Sequence, residues 1–120
     1  MKYPKPKKVK KSTLKNKADK LFSEKIRAIG VCQLKGLDKV KCSGQLQTMH
    51  IFGRANYRLR WEEQNALCGC SGHHFYYTNN PTSFGILLAE KFSMRLDYLK
   101  AIRNEMWDKE YDKVFKSLQE

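Results

Sequence analysis

Long apolar runs are missing from this 120-residue sequence: none approaches the ~20 residues needed to cross a bilayer, so no membrane-spanning helix is expected. The opening stretch MKYPKPKKVKKS carries charge but no apolar h-region, which argues against a secretory signal and for a reducing cytoplasm. Acid is scarce, with 12 Asp+Glu against 24 Lys+Arg, a formal net charge of +12 and a pI near 9.7. No internal repeat divides the chain, and its length fits one domain with at most a tail. With 41% hydrophobic residues a core can form, but a thin one, and domains of this size often add a metal or a crosslink. In a reducing compartment the four cysteines are expected to be metal ligands or buried thiols before they are disulfides.

The charge is concentrated. Residues 1–20 hold nine Lys and one Asp, a net of +8, leaving +4 for the other hundred. With Pro4, Pro6 and few apolar groups, residues 1–17 cannot bury enough surface to offset their ordering entropy, so a flexible basic arm is expected. Lys7, Lys8, Lys10 and Lys11 on such an arm would bind phosphates without reading sequence, with salt-dependent affinity. A solubilising tail, or one that meets acidic proteins or membranes, is the plainer alternative.

Along the body, residues 18–120, Leu21, Phe22, Ile26 and Ile29 recur at helical spacing until Gly30. Residues 31–44 form a loop with a cysteine near each end, Cys32 and Cys42. Gln45–Phe52 alternates as a short strand. A loop rich in arginine follows (Arg54, Arg58, Arg60), ended by Trp61. Cys68–Gly72 predicts a tight turn feeding a short helix through Phe75–Tyr77. Ser83–Phe92 and then Met94–Leu118 are helical, the latter as one long or two short helices. The outline is strand–loop–strand–helix flanked by helices, an α+β fold.

All three histidines and all four cysteines fall between residues 32 and 74. Singly, each has an ordinary reading: His50 as a hydrogen-bonded strand residue, Asn65 as a turn residue, Cys68 and Cys70 as small buried hydrophobes. Together they read Cys32, Cys42-Ser43-Gly44, Leu46-Gln47, His50-Ile51, Arg54, Leu59-Arg60-Trp61, Asn65-Ala66-Leu67, Cys70-Ser71-Gly72-His73-His74, Thr78 and Pro81. This pattern resembles the HNH (His-Me finger) endonucleases, and within them the phage-type branch with a cysteine knuckle that includes the lambda-type recombination nucleases. The likeness covers residues 30–82, the family's ββα-metal core, and leaves the arm and the helices of 83–118 untouched.

The resemblance implies a metal-dependent DNA endonuclease acting on phosphodiester bonds. His50 matches the family's general base, a task that suits a side chain titrating near neutrality. Asn65 matches the residue that holds this imidazole, and His74 the ligand of a catalytic Mg2+ or Mn2+ ion. Arg54, Arg58 and Arg60 are candidate phosphate clamps, since guanidinium binds phosphate through a planar fork. Arg54 fits the family's spacing best, and Arg60 has a structural ion pair as its alternative.

The same alignment implies a structural zinc ion (Zn2+) on Cys32, Cys42, Cys70 and His73, with Cys68 as a spare thiol or a substitute ligand; Cys3His is a normal closed zinc set. One departure stands out. Many HNH enzymes place a metal-binding residue just before the base, where this chain has Met49, a poor ligand for hard cations. A substrate oxygen, water, Glu62 or Glu63 is the expected replacement. The runner-up is a zinc-stabilised DNA-binding module with a weakened or inactive nuclease centre; an assembly protein that binds acidic partners comes last. Branched recombination intermediates are the substrates that the likeness suggests, read by shape or backbone, with a homodimer as one way to cut two strands and a bacterial host cytoplasm as the setting of a phage protein.

Overall fold

Leu14, Ala18, Phe22 and Ile26 repeat every four residues, which places them on one face of a helix. In the computed structural model, which describes residues 11–107 and 111–119, they lie on α1, Lys11–Arg27. Ala18, Phe22 and Ile26 are buried, and Gly30, at φ +81°, ends the segment. Lys25 and Arg27 in the last turn suit the negative end of the helix dipole. The helix therefore starts seven residues before Ala18, the start that its periodicity predicts. Charge masked residues 11–17, whose Leu14 continues the apolar stripe and whose Lys15 ammonium lies 5.9 Å from the Tyr57 ring centroid. Lys11 is the first residue of α1; Lys7, Lys8 and Lys10, named above for phosphate binding, lie outside the described residues.

The fold is α+β, with a two-stranded antiparallel sheet of β1 (Leu46–His50) and β2 (Ala66–Cys70), in register from Leu46 opposite Cys70 to His50 opposite Ala66. Alternation along β1 splits its side chains between two faces. On one face, Leu46, Thr48 and His50 meet α1: Leu46 packs against the cluster of Phe22, Ile26, Ala66 and Cys68, and the Ser23 and Thr48 hydroxyls are 3.0 Å apart. On the other, Met49 joins Leu34, Leu67, Tyr77, Leu87 and Leu88 in the main core. Cys68–Cys70, expected as a turn, is strand, and all of β2 is buried, because α1 covers one face and the Met49 core the other.

Between the strands sit α2 (Tyr57–Arg60) and a 3-10 turn at Glu63–Asn65. After β2 come α3 (Ser71–Asn79), α4 (Pro81–Lys91), α5 (Ser93–Ile102) and α6 (Tyr111–Gln119). Proline at the first position of α4 costs no hydrogen bond, since that N–H has no helical partner. Of the two alternatives for the C-terminal stretch, two short helices form, and α6 packs on α1. Among the described residues, no helix is long and apolar enough to cross a membrane.

The loop of residues 31–45 is bound along β2 and the start of α3. Gln33 N–H donates to the Cys68 carbonyl at 2.8 Å, and its side-chain oxygen accepts from Cys68 N–H at 2.8 Å. Further along, Gly72 N–H reaches the Ser43 carbonyl at 3.0 Å and Ser71 N–H the Gln45 carbonyl at 2.8 Å. Gly44 makes this approach possible: its φ is +76°, and a Cβ there would overlap the Ser71 hydroxyl. Gly44→Ala is expected to destabilise the fold by about 2–4 kcal/mol, adding left-handed backbone strain to overpacking. Urea unfolding checks this, and an unchanged midpoint would mean that the loop does not dock here.

Candidate metal centre and histidine cleft

Four side chains converge where the loop meets the start of α3. Cys32 and Cys42 come from the loop, Cys70 from the last position of β2 and His73 from the first turn of α3. Their ligand atoms all lie within 4.8 Å of one another, and His73 Nδ1 is 3.1 Å from Cys70 Sγ, 3.6 Å from Cys32 Sγ and 3.7 Å from Cys42 Sγ. Tetrahedral zinc bonds of ~2.3 Å to sulfur and ~2.0 Å to nitrogen put neighbouring ligands about 3.5 Å apart, so this Cys3His cluster could hold a metal such as zinc.

The thiol chemistry fits the same use. Burial opposes charge on Cys70, but hydrogen bonds from the His73 and Ser43 N–H groups and the His73 ring bring its thiol down to about 6. Desolvation and the adjoining Cys32 and Cys70 sulfurs push Cys42 up to about 11. Three thiols crowded together resist joint ionisation, and a cation among them removes that penalty. Cys68 stands apart from the set: it is fully buried among Phe22, Ile26 and Ala66, and burial raises its thiol. Its place as an alternate ligand is thereby corrected. Two residues along a strand are separated by nearly 7 Å, which leaves Cys68 beneath α1 while Cys70 reaches the loop.

Asp38 is a participant that sequence reasoning missed. Its Oδ1 accepts from His73 Nε2–H at 3.0 Å and from Val40 N–H at 3.0 Å, while the Tyr77 hydroxyl donates to Oδ2. Burial opposes its charge, yet these bonds keep the carboxyl below its ordinary range. A carboxylate on the far nitrogen fixes the ring so that Nδ1 presents a lone pair to the cysteines. The available signal was that Asp38 is the one carboxylate between Cys32 and Cys42.

A second site lies at the end of β1. His50, Thr48, Gly53, Arg54 and His74 line an open cleft of about 410 Å³, with Asp19, Phe22 and Ser23 of α1 across it. The His50 ring sits 5.6 Å from that of Phe22, and its Nε2 is 3.3 Å from the Arg60 carbonyl. A carbonyl only accepts, so Nε2 carries the proton and Nδ1 is left with its lone pair. Burial lowers the pKa of His50, reinforced by the Arg54 and Arg60 charges and partly offset by the Arg60 carbonyl and Asp19. Its neutral form is therefore favoured at neutral pH.

Asn65 does not touch the His50 ring. Fully buried, it accepts from Phe52 N–H at 2.8 Å and donates to the Phe52 and Leu59 carbonyls at 3.0 Å each. It closes the loop that carries Arg54 instead, and the imidazole is held by the Arg60 carbonyl. Asn65→Ala leaves these buried groups without a partner, an expected loss of about 2–4 kcal/mol. Thermal unfolding of the variant tests this, and a melting point equal to the parent's would contradict it.

The three arginines separate. Arg54 is exposed and lines the cleft. Arg60 is only 9% exposed and forks onto Asp19, at 2.9 Å through Nε and 2.6 Å through Nη2, and Nη1 donates to the Arg54 carbonyl. Its assignment to phosphate gives way to the structural ion pair. Asp19, which also accepts from Trp61 Nε1–H at 3.0 Å, was missed, although it is the one acidic residue among the first 20. Arg58 is paired with Glu105 at 3.3 Å and Glu62 at 3.7 Å, so it too is directed at protein carboxylates.

Met49 is 2% exposed in the main core, since alternation turns it to the opposite face from Thr48 and His50. Neither Glu62 nor Glu63 lines the histidine cleft; Glu62 caps the 3-10 turn and Glu63 pairs with Lys25. The second-ligand role offered to these two glutamates is not supported by their positions. Among the described residues, the Cys3His cluster is the one group of three or more His, Cys, Asp or Glu side chains close enough to share an ion. No protein-family model, curated protein or solved structure matches this chain.

Proposed function

We propose that this chain is a metal-dependent DNA endonuclease of the HNH class, built on a structural zinc ion. The observation that carries the reading is the shared cleft: the order β1, β2, α3 brings His50 from a strand end and His74 from a helix to one opening beside Arg54. The Cys3His cluster supports it by lying at the start of the same helix, so zinc there would fix the α3 that presents His74.

In this reading His50 Nδ1 takes a proton from the water that attacks phosphorus. The Arg60 carbonyl keeps the ring in the tautomer suited to that task. Arg54 binds a phosphate oxygen, and the lysines of residues 1–11 add contacts to the DNA backbone that carry no sequence information. A divalent cation held by His74 would supply Lewis-acid stabilisation of the leaving oxygen. Branched recombination intermediates are the proposed substrates, recognised by shape.

The buried Met49 favours one other reading, a zinc-stabilised DNA-binding module whose cutting centre is inactive, since no carboxylate replaces it beside His74. Incubating supercoiled plasmid with the protein in Mg2+ or Mn2+ separates the two. Nicked or linear product that EDTA suppresses supports the enzyme. A retarded but intact plasmid supports the binding module.

A further inference from the structure

His74 has one polar partner whose role neither site has yet used. Its Nδ1 lies 2.7 Å from the Gln47 side-chain oxygen, a side chain delivered by β1. Gln47 points to the face of β1 opposite Thr48 and His50, the face on which α3 packs. The amide oxygen only accepts, so the contact requires Nδ1 to carry the proton. Nε2 then keeps the lone pair.

The geometry points to Gln47 as a positioning residue that locks His74 as an Nε2 donor for a divalent cation. This rests on the nuclease reading for its catalytic meaning, although the tautomer lock itself does not. Strand and helix reach the cleft from different directions, and the Gln47–His74 bond ties one to the other across β1. The arrangement parallels Asp38 on His73, where the bonded nitrogen is Nε2 and the free one Nδ1. The two adjacent histidines thus present opposite nitrogens, one to the cysteine cluster and one to the cleft. Partners on the far nitrogen of a metal-bound histidine typically contribute about 10–100-fold in metal affinity.

The test uses zinc-loaded full-length protein, with Gln47→Ala and Gln47→Glu beside the parent, and Mn2+ as the probe. The chain has three histidines, so nitrogen-15 spectra of the imidazoles can be assigned with single His→Ala variants. The parent is expected to show His74 as the Nδ1–H tautomer and to lose its Nε2 signal as paramagnetic Mn2+ is added. Gln47→Ala is expected to mix the tautomers and raise the Mn2+ needed for broadening, and for half-maximal plasmid cutting, by about 10–100-fold. Gln47→Glu, which keeps an acceptor, should restore the tautomer. A parent that cuts DNA alongside a Gln47→Ala protein with the same tautomer and Mn2+ dependence overturns the role of Gln47 and spares the nuclease. Mn2+ binding at His74 that weakens in Gln47→Ala, in a protein that never cuts, keeps the inference and removes the nuclease. No broadening of His74 in the parent overturns it.

Discussion

His50→Ala is expected to lower the rate of phosphodiester hydrolysis by about 10²–10⁴-fold while leaving DNA binding and the fold in place. The half-buried ring makes one hydrogen bond, to the Arg60 carbonyl, so its loss costs little beside the loss of the base. The pH profile carries the sign of its pKa. Burial and two nearby arginines hold His50 below its ordinary 6.5, and catalysis needs the neutral ring. Activity should therefore rise with pH through a midpoint below 6.5 and level off above it. Stability moves the same way: the unfolded histidine takes up a proton more readily than the folded one, so acid below 6.5 favours unfolding. Single-turnover cleavage across pH measures the first effect. A midpoint above 6.5, or a variant as fast as the parent, would show that His50 is not the base.

Removing zinc is expected to have the largest structural effect. Apparent zinc-binding energies of about 10–16 kcal/mol in small zinc domains match or exceed the whole stability of a domain this size. A chelator should abolish the cooperative thermal transition, and Cys70→Ser should prevent zinc uptake. Cys68→Ala gives the contrast, since its thiol lies among Phe22, Ile26 and Ala66, away from the cluster. That variant should keep one zinc per chain, measured by native mass spectrometry, and lose only about 1–2 kcal/mol from the core. Chelated protein that melts like the untreated one would contradict a structural zinc ion.

Residue types and their spacing made part of this legible. The four members of the metal cluster could be named from the sequence, because cysteine and histidine at a loop and a strand–helix junction have few other joint uses. Helical periodicity from Leu21 to Ile26 located α1, and alternation located β1. Alternation also held the information that Met49 and His50 face apart, which the family alignment alone did not use.

What stayed hidden depends on contacts distant in sequence. The Asp19–Arg60 pair spans 41 positions and turns a phosphate candidate into a brace. Asn65 was matched to the imidazole by motif, whereas its amide closes the Phe52–Leu59 loop through three hydrogen bonds. Residues 11–17 looked like arm by charge, because propensity and a single Leu14 weigh little until α1 has a surface to lie on. Asp38 and Gln47 sit in unremarkable local sequence, and only the fold brings them onto His73 and His74.

The central claim is that His50 and His74 form one cutting centre. Cleavage of supercoiled plasmid and of a synthetic four-way junction by the zinc-loaded protein tests it most directly, with Mg2+, Mn2+ or EDTA and with His50→Ala and His74→Ala alongside. The account predicts cutting that needs the divalent ion, vanishes in both variants and favours the junction. Full-length DNA in every lane, from a folded protein that still binds both substrates, would contradict it.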